Sequence, residues 1–319
     1  MSTAVISVAS GKGGVGKTTT VANVSVALAR QGLKVLAWDL DGQGNLGQAL
    51  GADMAELGLS SYHLMSGRLD SVGAAIRETQ FPGVSLVPAH MELFGAEKDL
   101  VPSIDKELIL RTLVQQPEAQ AFDVVVIDLP PNLGFATVNG LAASRWVLIP
   151  VQVSGFALTS LRQLAHAIRL AQDDLNPELE LLGLIPTFVT SGTKLSRDVV
   201  KALHLIPGAR VLEPHIPYTV RVAEGSLSGV PVVVAAPANP AAAAYTRIAA
   251  TIWEVIRSSP EHVPRAPALA IAVPPPPDEV AQQIVVGELV SHLRVELQEP
   301  QLPRRRGPFG RRKSPRPAS

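Results

Sequence analysis

The stretch Gly11-Lys-Gly-Gly-Val-Gly-Lys-Thr18 decides the fold of this 319-residue chain. It matches the pattern G-x-x-x-x-G-K-[ST], in which backbone N–H groups surround the phosphates of a nucleotide. The lysine of this pattern reaches the terminal phosphates, and the last hydroxyl holds Mg²⁺. Glycines permit positive φ angles in the turn, and a helix that starts here adds partial positive charge. The stretch therefore predicts a phosphate-binding loop.

The residues on both sides of the loop support this prediction. Residues 4–9 form a short apolar run typical of a buried strand, and residues 18–30 carry apolar side chains at helical spacing. Further apolar runs at 34–38 and 123–128 each end in an aspartate or are followed by one. Alternation of such strands with helices predicts an α/β fold with a doubly wound, mainly parallel sheet whose ligands lie at the carboxyl ends of the strands.

Other segments have weaker signals. Strands are predicted at 84–87, 147–152 and 181–186, and helices at 56–65, 69–78, 106–115, 158–175 and 241–256. Asn176-Pro177 should separate the helix before it from the strand after it. His90 lies in a turn that could approach the nucleotide, although a single histidine is more often structural.

Three motifs give the loop a family context. Lys12 makes the loop G-K-G-G-V-G-K-T-T, the second strand runs into Asp39-Leu-Asp41-Gly-Gln-Gly-Asn45, and the strand 123–128 runs into Asp128-Leu-Pro-Pro131. Together they resemble the deviant Walker A ATPases of the ParA/MinD superfamily, over residues 4–256. The resemblance implies an enzyme that hydrolyses ATP with Mg²⁺. It also implies an ATP-dependent homodimer in which Lys12 reaches the phosphates of the partner subunit.

The resemblance assigns roles to the other charged residues of these motifs. Lys17 would stabilise the transferred phosphoryl group, and together with Lys12 and Asp41 it forms the implied catalytic set. Thr18 and Asp128 would hold Mg²⁺, and Asp41 would place the attacking water. Asp39 would either support the Mg²⁺ shell or cap the end of its strand. The full nucleotide-binding set implied by the resemblance is Gly11, Lys12, Gly13, Gly14, Val15, Gly16, Lys17, Thr18, Thr19 and Pro217.

One position departs from the family pattern. Relatives usually have proline where this chain has Gly42. Because glycine is the more flexible residue, we expect a looser loop there and an altered hydrolysis rate, with less effect on nucleotide binding.

A second segment resembles the part of ParA proteins that binds DNA without sequence preference. His215-Ile-Pro217-Tyr-Thr-Val-Arg221-Val-Ala-Glu224 is similar to their I-P-x-x-x-R-x-x-E segment. Arg221 is therefore a candidate phosphate contact, and Lys194 could extend the same surface. Clustered cations of this kind would give steep salt dependence. The alternative is that both are ordinary surface charges.

Composition limits the classes of function. The chain has no cysteine, which excludes disulfides, thiolate metal sites and the iron-sulfur relatives of the superfamily. No secretory signal and no membrane-spanning run is apparent, so we expect a cytoplasmic protein, associated with the nucleoid if it binds DNA. The net charge is zero, but seven of the 28 basic residues lie in 303–319, which contains no acid. The tail is therefore a basic arm on a mildly acidic body.

The C-terminal part predicts a separate organisation. Residues 1–257 form the predicted ATPase domain, and the proline-rich residues 258–277 form a semi-rigid linker. Residues 278–298 follow as an amphipathic helix and residues 299–319 as a disordered basic tail.

Two functional classes remain. The first is a DNA-segregation switch, in which an ATP-bound dimer binds nonspecific DNA, turns over slowly alone, and is stimulated by a ParB-like partner. The second is a MinD-like positioning ATPase, which binds membrane instead. Residues 304–316 differ from the apolar-rich terminal helix of MinD-like proteins, because Phe309 is their only large apolar residue. Their basic side chains could be held at anionic lipid or equally at DNA. An adaptor that binds only through its tail is a third reading.

Overall fold

The computed structural model describes residues 2–52, 58–95 and 105–259. Within them, seven strands form one sheet in the order β3-β4-β2-β5-β1-β6-β7. The strands are β1 (Ala4–Val8), β2 (Val35–Asp39), β3 (Arg77–Glu78), β4 (Val84–Val87), β5 (Val124–Asp128), β6 (Trp146–Gln152) and β7 (Glu180–Thr187). Neighbouring strands pair in parallel except β3, which runs antiparallel to β4. The predicted doubly wound sheet is confirmed.

Helices connect and cover these strands. In the described residues they are α1 (Lys17–Ala29), α2 (Asn45–Ala49), α3 (Ser61–Met65), α4 (Ile109–Val114), α5 (Pro117–Gln120), α6 (Phe135–Ala143), α7 (Ala157–Asp174), α8 (Lys194–His204), α9 (Val220–Leu227), α10 (Val232–Ala235) and α11 (Pro240–Ser258). Three short 3₁₀ helices lie at Val72–Ala75, Met91–Phe94 and Lys106–Leu108. No helix in this part of the chain is both long enough and apolar enough to cross a bilayer.

The sheet separates two hydrophobic cores. In the central strands, Val5 and Val125 face one core, which contains residues of α6 and α7. Their neighbours Ile6 and Val126 face the other core, which contains residues of α1 and α11. Because side chains alternate along a strand, a strand that is buried on both faces reads as one continuous apolar run. This is why β1 and β5 were predictable from the sequence.

The predicted helix over 69–78 is wrong. Its residues instead form the 3₁₀ helix Val72–Ala75 and then β3. The side chain of Gln116 accepts a hydrogen bond from the backbone N–H of Val72 at 2.8 Å, and Glu118 accepts one from Ser71 at 2.9 Å. These contacts with residues 116 and 118 stabilise the start of the 3₁₀ helix. The residues after it form β3, the edge strand of the sheet. Local periodicity cannot reveal such partners.

The C-terminal predictions fall almost wholly outside the described residues. The last helix extends from Pro240 to Ser258, slightly beyond the predicted range of 241–256. The rest of the predicted linker, the amphipathic helix and the basic tail begin at residue 260 or later and are not described. Of the helix predicted over 56–65, residues 56 and 57 also lie outside the described residues, and Ser61–Met65 form α3.

Asn176 fixes the turn between α7 and β7. Its buried side-chain amide donates to the carbonyl oxygens of Leu141 at 2.9 Å and Ser144 at 2.6 Å, which lie at the end of α6. These bonds join the segment between α6 and β6 to the segment between α7 and β7. The predicted break at Asn176-Pro177 is therefore also a tertiary contact.

We expect Asn176→Ala to lower the free energy of unfolding by about 2 kcal/mol or more, because two buried carbonyl groups lose their partner. Urea denaturation followed by circular dichroism measures this change. The matched control is Asn45→Ala at an exposed position, which should stay within about 0.5 kcal/mol of the parent protein. Equal effects of the two substitutions would contradict the role of Asn176.

Candidate nucleotide-binding site

The predicted phosphate-binding loop joins the end of β1 to the start of α1. Gly14 and Gly16 have φ angles of 74° and 91°, which glycine adopts without the strain of a side chain. Gly16 is the N-cap of α1, and Lys17 is the first helical residue. The loop therefore turns its backbone N–H groups toward a common space at a helix N-terminus, which is an arrangement that binds phosphate.

Contacts from β7 and α7 hold the loop in this shape. Thr187 Oγ1 donates to the carbonyl oxygen of Val15 at 2.9 Å, and Ser10 Oγ donates to that of Lys12 at 2.7 Å. A Cβ atom on Gly11 would lie 2.2 Å from the carbonyl oxygen of Ser160, so no larger residue fits there. The loop is rigid on the side of these contacts, while Lys12 and its neighbours Gly13 and Gly14 are exposed.

Two acidic side chains lie beside the loop at the carboxyl edge of the sheet. Asp39 and Asp128 are register partners in the β2–β5 pair, and Asp128 is also the partner of Val8 in the β1–β5 pair. Thr18 Oγ1 donates to Asp128 Oδ2 at 2.6 Å. The other oxygen, Asp128 Oδ1, is buried without a hydrogen-bond partner. A hydroxyl and a carboxylate with a spare buried oxygen are donors that suit Mg²⁺.

Both carboxyl oxygens of Asp39 accept hydrogen bonds from backbone N–H groups. Its Oδ1 accepts from the backbone N–H of Asp41 at 3.0 Å, and its Oδ2 accepts from that of Leu46 at 3.1 Å. Both carboxyl oxygens thus hold the loop that follows β2, which supports the strand-capping role. Asp41 lies on the same loop, and its Oδ1 accepts from the backbone N–H of Gln43 at 3.1 Å.

Burial changes the pKa values of these groups. It lowers the pKa of Lys17, and the nearby carboxylates of Asp128 and Asp41 oppose this change. It raises the pKa of Asp128 to about 7, although the Thr18 hydroxyl and Lys17 lower it. It also raises the pKa of Asp39 well above its usual range, and the charge of Asp128 adds to the effect. The raised pKa values of Asp39 and Asp128 mean that their ionised forms are unfavourable here, and a bound divalent cation would stabilise them.

An aromatic ring fills the space beside Gly42. A Cβ atom on Gly42 would lie 2.9–3.0 Å from the ring of Phe94, which is tighter than ordinary contact. Phe94 belongs to the 3₁₀ helix Met91–Phe94 and remains more than half exposed. The loop after β2 is therefore packed at Gly42 rather than open. His90 is the N-cap of the same short helix, where its ring accepts from the backbone N–H of Glu92 at 3.4 Å, a structural contact.

A second wall of the site follows the end of β7. Phe188 has a φ angle of 55°, which is unusual for a residue other than glycine, and its ring lies 3.7 Å from the position of a Cβ on Gly16. Val189 pairs with Pro217 through a short parallel bridge. Thr19 Oγ1 lies 3.4 Å from Ser226 Oγ on α9. Pro217 is thus joined to the segment that borders the phosphate-binding loop.

The candidate DNA-contacting residues are exposed on two helices that start close to this bridge. Lys194 is the first residue of α8, and Arg221 is the second residue of α9. Both helices follow the Val189–Pro217 pair at the carboxyl end of β7, so they begin at the edge of the sheet that carries the loop. Arg221 forms an exposed ion pair with Glu224 at 2.9 Å. Such pairs contribute little stability, so a phosphate can compete for the guanidinium.

Several contacts of this site were missed by the sequence reasoning. The hydrogen bond of Thr187, the close approach of Ser160, the wall of Phe188 and the packing of Phe94 all come from residues distant in sequence. Thr187 directly follows a predicted strand, so its position at the carboxyl edge could have been expected. No local pattern indicates the others.

Comparisons with known proteins agree with this geometry. A family profile described as an AAA domain matches residues 3–181. The sporulation initiation inhibitor protein Soj of Bacillus subtilis is 35% identical over 245 residues, which are 77% of this chain and 96% of Soj. The chromosome partitioning protein ParA of Caulobacter vibrioides is 36% identical over 231 residues, which are 72% of this chain and 86% of ParA.

A solved structure has the same fold. The crystal structure of cobyrinic acid a,c-diamide synthase from Mycobacterium smegmatis with bound ADP and magnesium has a TM-score of 0.71 and 36% identity, and it covers 83% of this chain and 99% of its own. The matched profile spans the phosphate-binding loop and the acids Asp39, Asp41 and Asp128. This chain therefore belongs to the family of the Soj and ParA chromosome-partitioning ATPases.

Proposed function

We propose that this protein is an ATP-dependent switch, which dimerises with ATP, binds nonspecific DNA and acts in DNA segregation. The observation that carries the proposal is the hydrogen bond of 2.6 Å between Thr18 and Asp128 beside the buried Lys17. It places a hydroxyl, a carboxylate and an ammonium group around one phosphate-binding loop. ATP and Mg²⁺ are the proposed ligands, and the synthase of similar structure holds ADP and magnesium.

The residues of the site have distinct proposed tasks. The loop from Gly11 to Thr19 binds the phosphates through its backbone N–H groups, with Pro217 near the nucleoside. Thr18 and Asp128 hold Mg²⁺, which neutralises phosphate charge when bound. Lys17 stabilises the negative charge of the transferred phosphoryl group. Asp39 supports this set indirectly by holding the loop that carries Asp41.

Asp41 is the proposed residue that orients the attacking water. It is 93% buried, and its carboxylate is fixed by the backbone of Gln43. A carboxylate in this position can accept a hydrogen bond from water while Lys17 and Mg²⁺ polarise the phosphate. The packing of Phe94 against Gly42 limits the movement of the loop that carries Asp41. Slow turnover without a stimulating ParB-like partner is proposed from the family alone.

Dimerisation is proposed to depend on Lys12. Its side chain is exposed, although it belongs to the phosphate-binding loop. An exposed ammonium beside bound phosphates can contact the nucleotide of a second copy, and both lysines then neutralise each phosphate group. Association of the two subunits is linked in this way to the γ-phosphate.

The alternative function, a MinD-like ATPase that binds membrane, is tested in the same experiment as DNA binding. A MinD-like protein would use a C-terminal amphipathic segment, and that part of this chain lies outside the described residues. Exposed cations at the ends of α8 and α9 favour DNA. Nucleoid association is the expected location if this proposal is right.

We expect Asp128→Asn to abolish Mg²⁺-dependent ATP binding, because the variant loses the anionic ligand. It should also flatten the pH dependence of stability in the nucleotide-free protein. The pKa of Asp128 is raised to about 7 from 3.8, so its burial costs stability as the pH rises from about 4 to 7. Thermal denaturation in EDTA at pH 5 and pH 8 measures this. The variant should gain stability relative to the parent protein at pH 8 compared with pH 5, and an equal difference at both pH values would contradict the assignment.

We expect Lys12→Gln to retain ATP binding and to weaken ATP-dependent dimerisation by about tenfold or more, because a charge-assisted hydrogen bond is lost. Lys17→Gln should lose both properties. Analytical ultracentrifugation with a non-hydrolysable ATP analogue measures the dimer, and fluorescence titration measures nucleotide affinity. A normal dimer in the Lys12→Gln variant would refute the proposed contact across the interface.

The main test compares binding to nonspecific duplex DNA and to anionic liposomes, each with ATP, with ADP and without nucleotide. We expect ATP-dependent DNA binding that Arg221→Glu reduces strongly, with a log–log salt slope smaller by about one unit. The matched control is Lys34→Glu, the same charge change before β2 at the opposite edge of the sheet. A truncation after Ser259 tests the basic tail. Liposome binding without DNA binding would instead support the MinD-like alternative.

A further inference from the structure

Three side chains away from the nucleotide converge between α8 and α9. His204 is the last residue of α8, and Glu213 and His215 lie in the segment that leads to α9. Their nitrogen and oxygen ligand atoms all lie within 4.8 Å of one another. We propose that His204, Glu213 and His215 bind a divalent transition-metal ion of the Zn²⁺ type. This site is independent of the proposed nucleotide chemistry.

The two nitrogen–oxygen distances are close to those around one shared ion. His204 Nε2 lies 3.6 Å from Glu213 Oε1, and His215 Nε2 lies 3.8 Å from the same oxygen. Ligand atoms about 2.0–2.1 Å from a tetrahedral Zn²⁺ are about 3.3 Å apart, so small side-chain adjustments suffice. Two imidazoles and one carboxylate leave the fourth position for water. Imidazole nitrogen is a ligand that suits Zn²⁺ and its neighbours rather than Mg²⁺.

One nitrogen of the cluster has no other partner. His215 Nε2 is buried and forms no hydrogen bond. Its distance of 3.8 Å to Glu213 is too long for one. A buried polar atom without a partner is costly, and a metal ion between the ring and the carboxylate would satisfy it.

Nearby charges set limits on the affinity. His215 shares its surroundings with Arg197 and Lys201, which line the adjacent surface cavity. These cations repel a dication, whereas Glu213 attracts it. The exposure of His204 and Glu213 gives the ion a path from solvent. The site is therefore open on one side and closed on the side of His215.

Occupation would add a bond between α8 and the segment that leads to α9. His204 ends the helix that starts with Lys194, and His215 lies two residues before Pro217, the partner of Val189. A ligand that binds only the folded arrangement stabilises it. The expected consequence is that Zn²⁺ raises the melting temperature of the protein.

The experiment uses the full chain after EDTA treatment, with Mg²⁺ and ADP in excess to occupy the nucleotide site. Co²⁺ is the spectroscopic probe, because its four-coordinate complexes absorb strongly in the visible range. We expect one Co²⁺ per chain, an absorption band that Zn²⁺ removes, and a higher melting temperature with Zn²⁺. Absence of the band, or a band that Zn²⁺ leaves unchanged, overturns the proposal.

Substitutions of the proposed ligands test whether the Co²⁺ absorption band comes from this site. His204→Ala and Glu213→Gln each lie at exposed positions, and each should weaken Co²⁺ binding by about 100-fold. His166→Ala on α7 is the matched control at an exposed histidine and should leave binding unchanged. The double variant His262→Ala/His292→Ala covers the histidines outside the described residues. If this double variant removes the band while His204→Ala keeps it, the proposed site is wrong.

Discussion

The short hydrogen bond between Thr18 and Asp128 connects the phosphate-binding loop to the acidic residues at the carboxyl end of the sheet. It joins the first turn of α1 to the carboxyl end of β5, and the parallel register places Asp39 beside Asp128. Two acids and Lys17 are thus buried together at one edge of the sheet. Burying several acidic groups together is unfavourable, and binding of a divalent cation would lower the free energy of this arrangement. The fold can maintain this arrangement because two large cores hold the strands in place.

The same edge of the sheet carries both proposed functions. Thr187, at the end of β7, holds the phosphate-binding loop, and the next residues pair with the segment before α9. A change in the loop therefore has a direct physical route to the helices that carry Lys194 and Arg221. In the proposed function, this contact would connect the nucleotide state to the surface that carries Lys194 and Arg221.

The sequence predicted the parts of the structure that depend on local patterns. Continuous apolar runs predict β1 and β5, and the spacing of Gly11, Gly16 and Lys17 predicts the loop. The segment 69–78 was misread because hydrogen bonds from Gln116 and Glu118 override its periodicity. The positive φ angle of Phe188 and the convergence of His204 with His215 depend on tertiary packing. At both places, side chains from distant segments are in contact, and no pattern in a single sequence predicts such contacts.

The contact between Gly42 and Phe94 also constrains how this sequence can change over time. The ring occupies the space that a larger residue at position 42 would need. A side chain at 42 is therefore tolerated only where the ring at 94 has moved or become smaller, so the effect of either substitution depends on the other. Non-additive effects of this type are expected for residues in contact. We therefore expect positions 42 and 94 to behave as an epistatic pair, in which a smaller residue at 94 eases the replacement of Gly42.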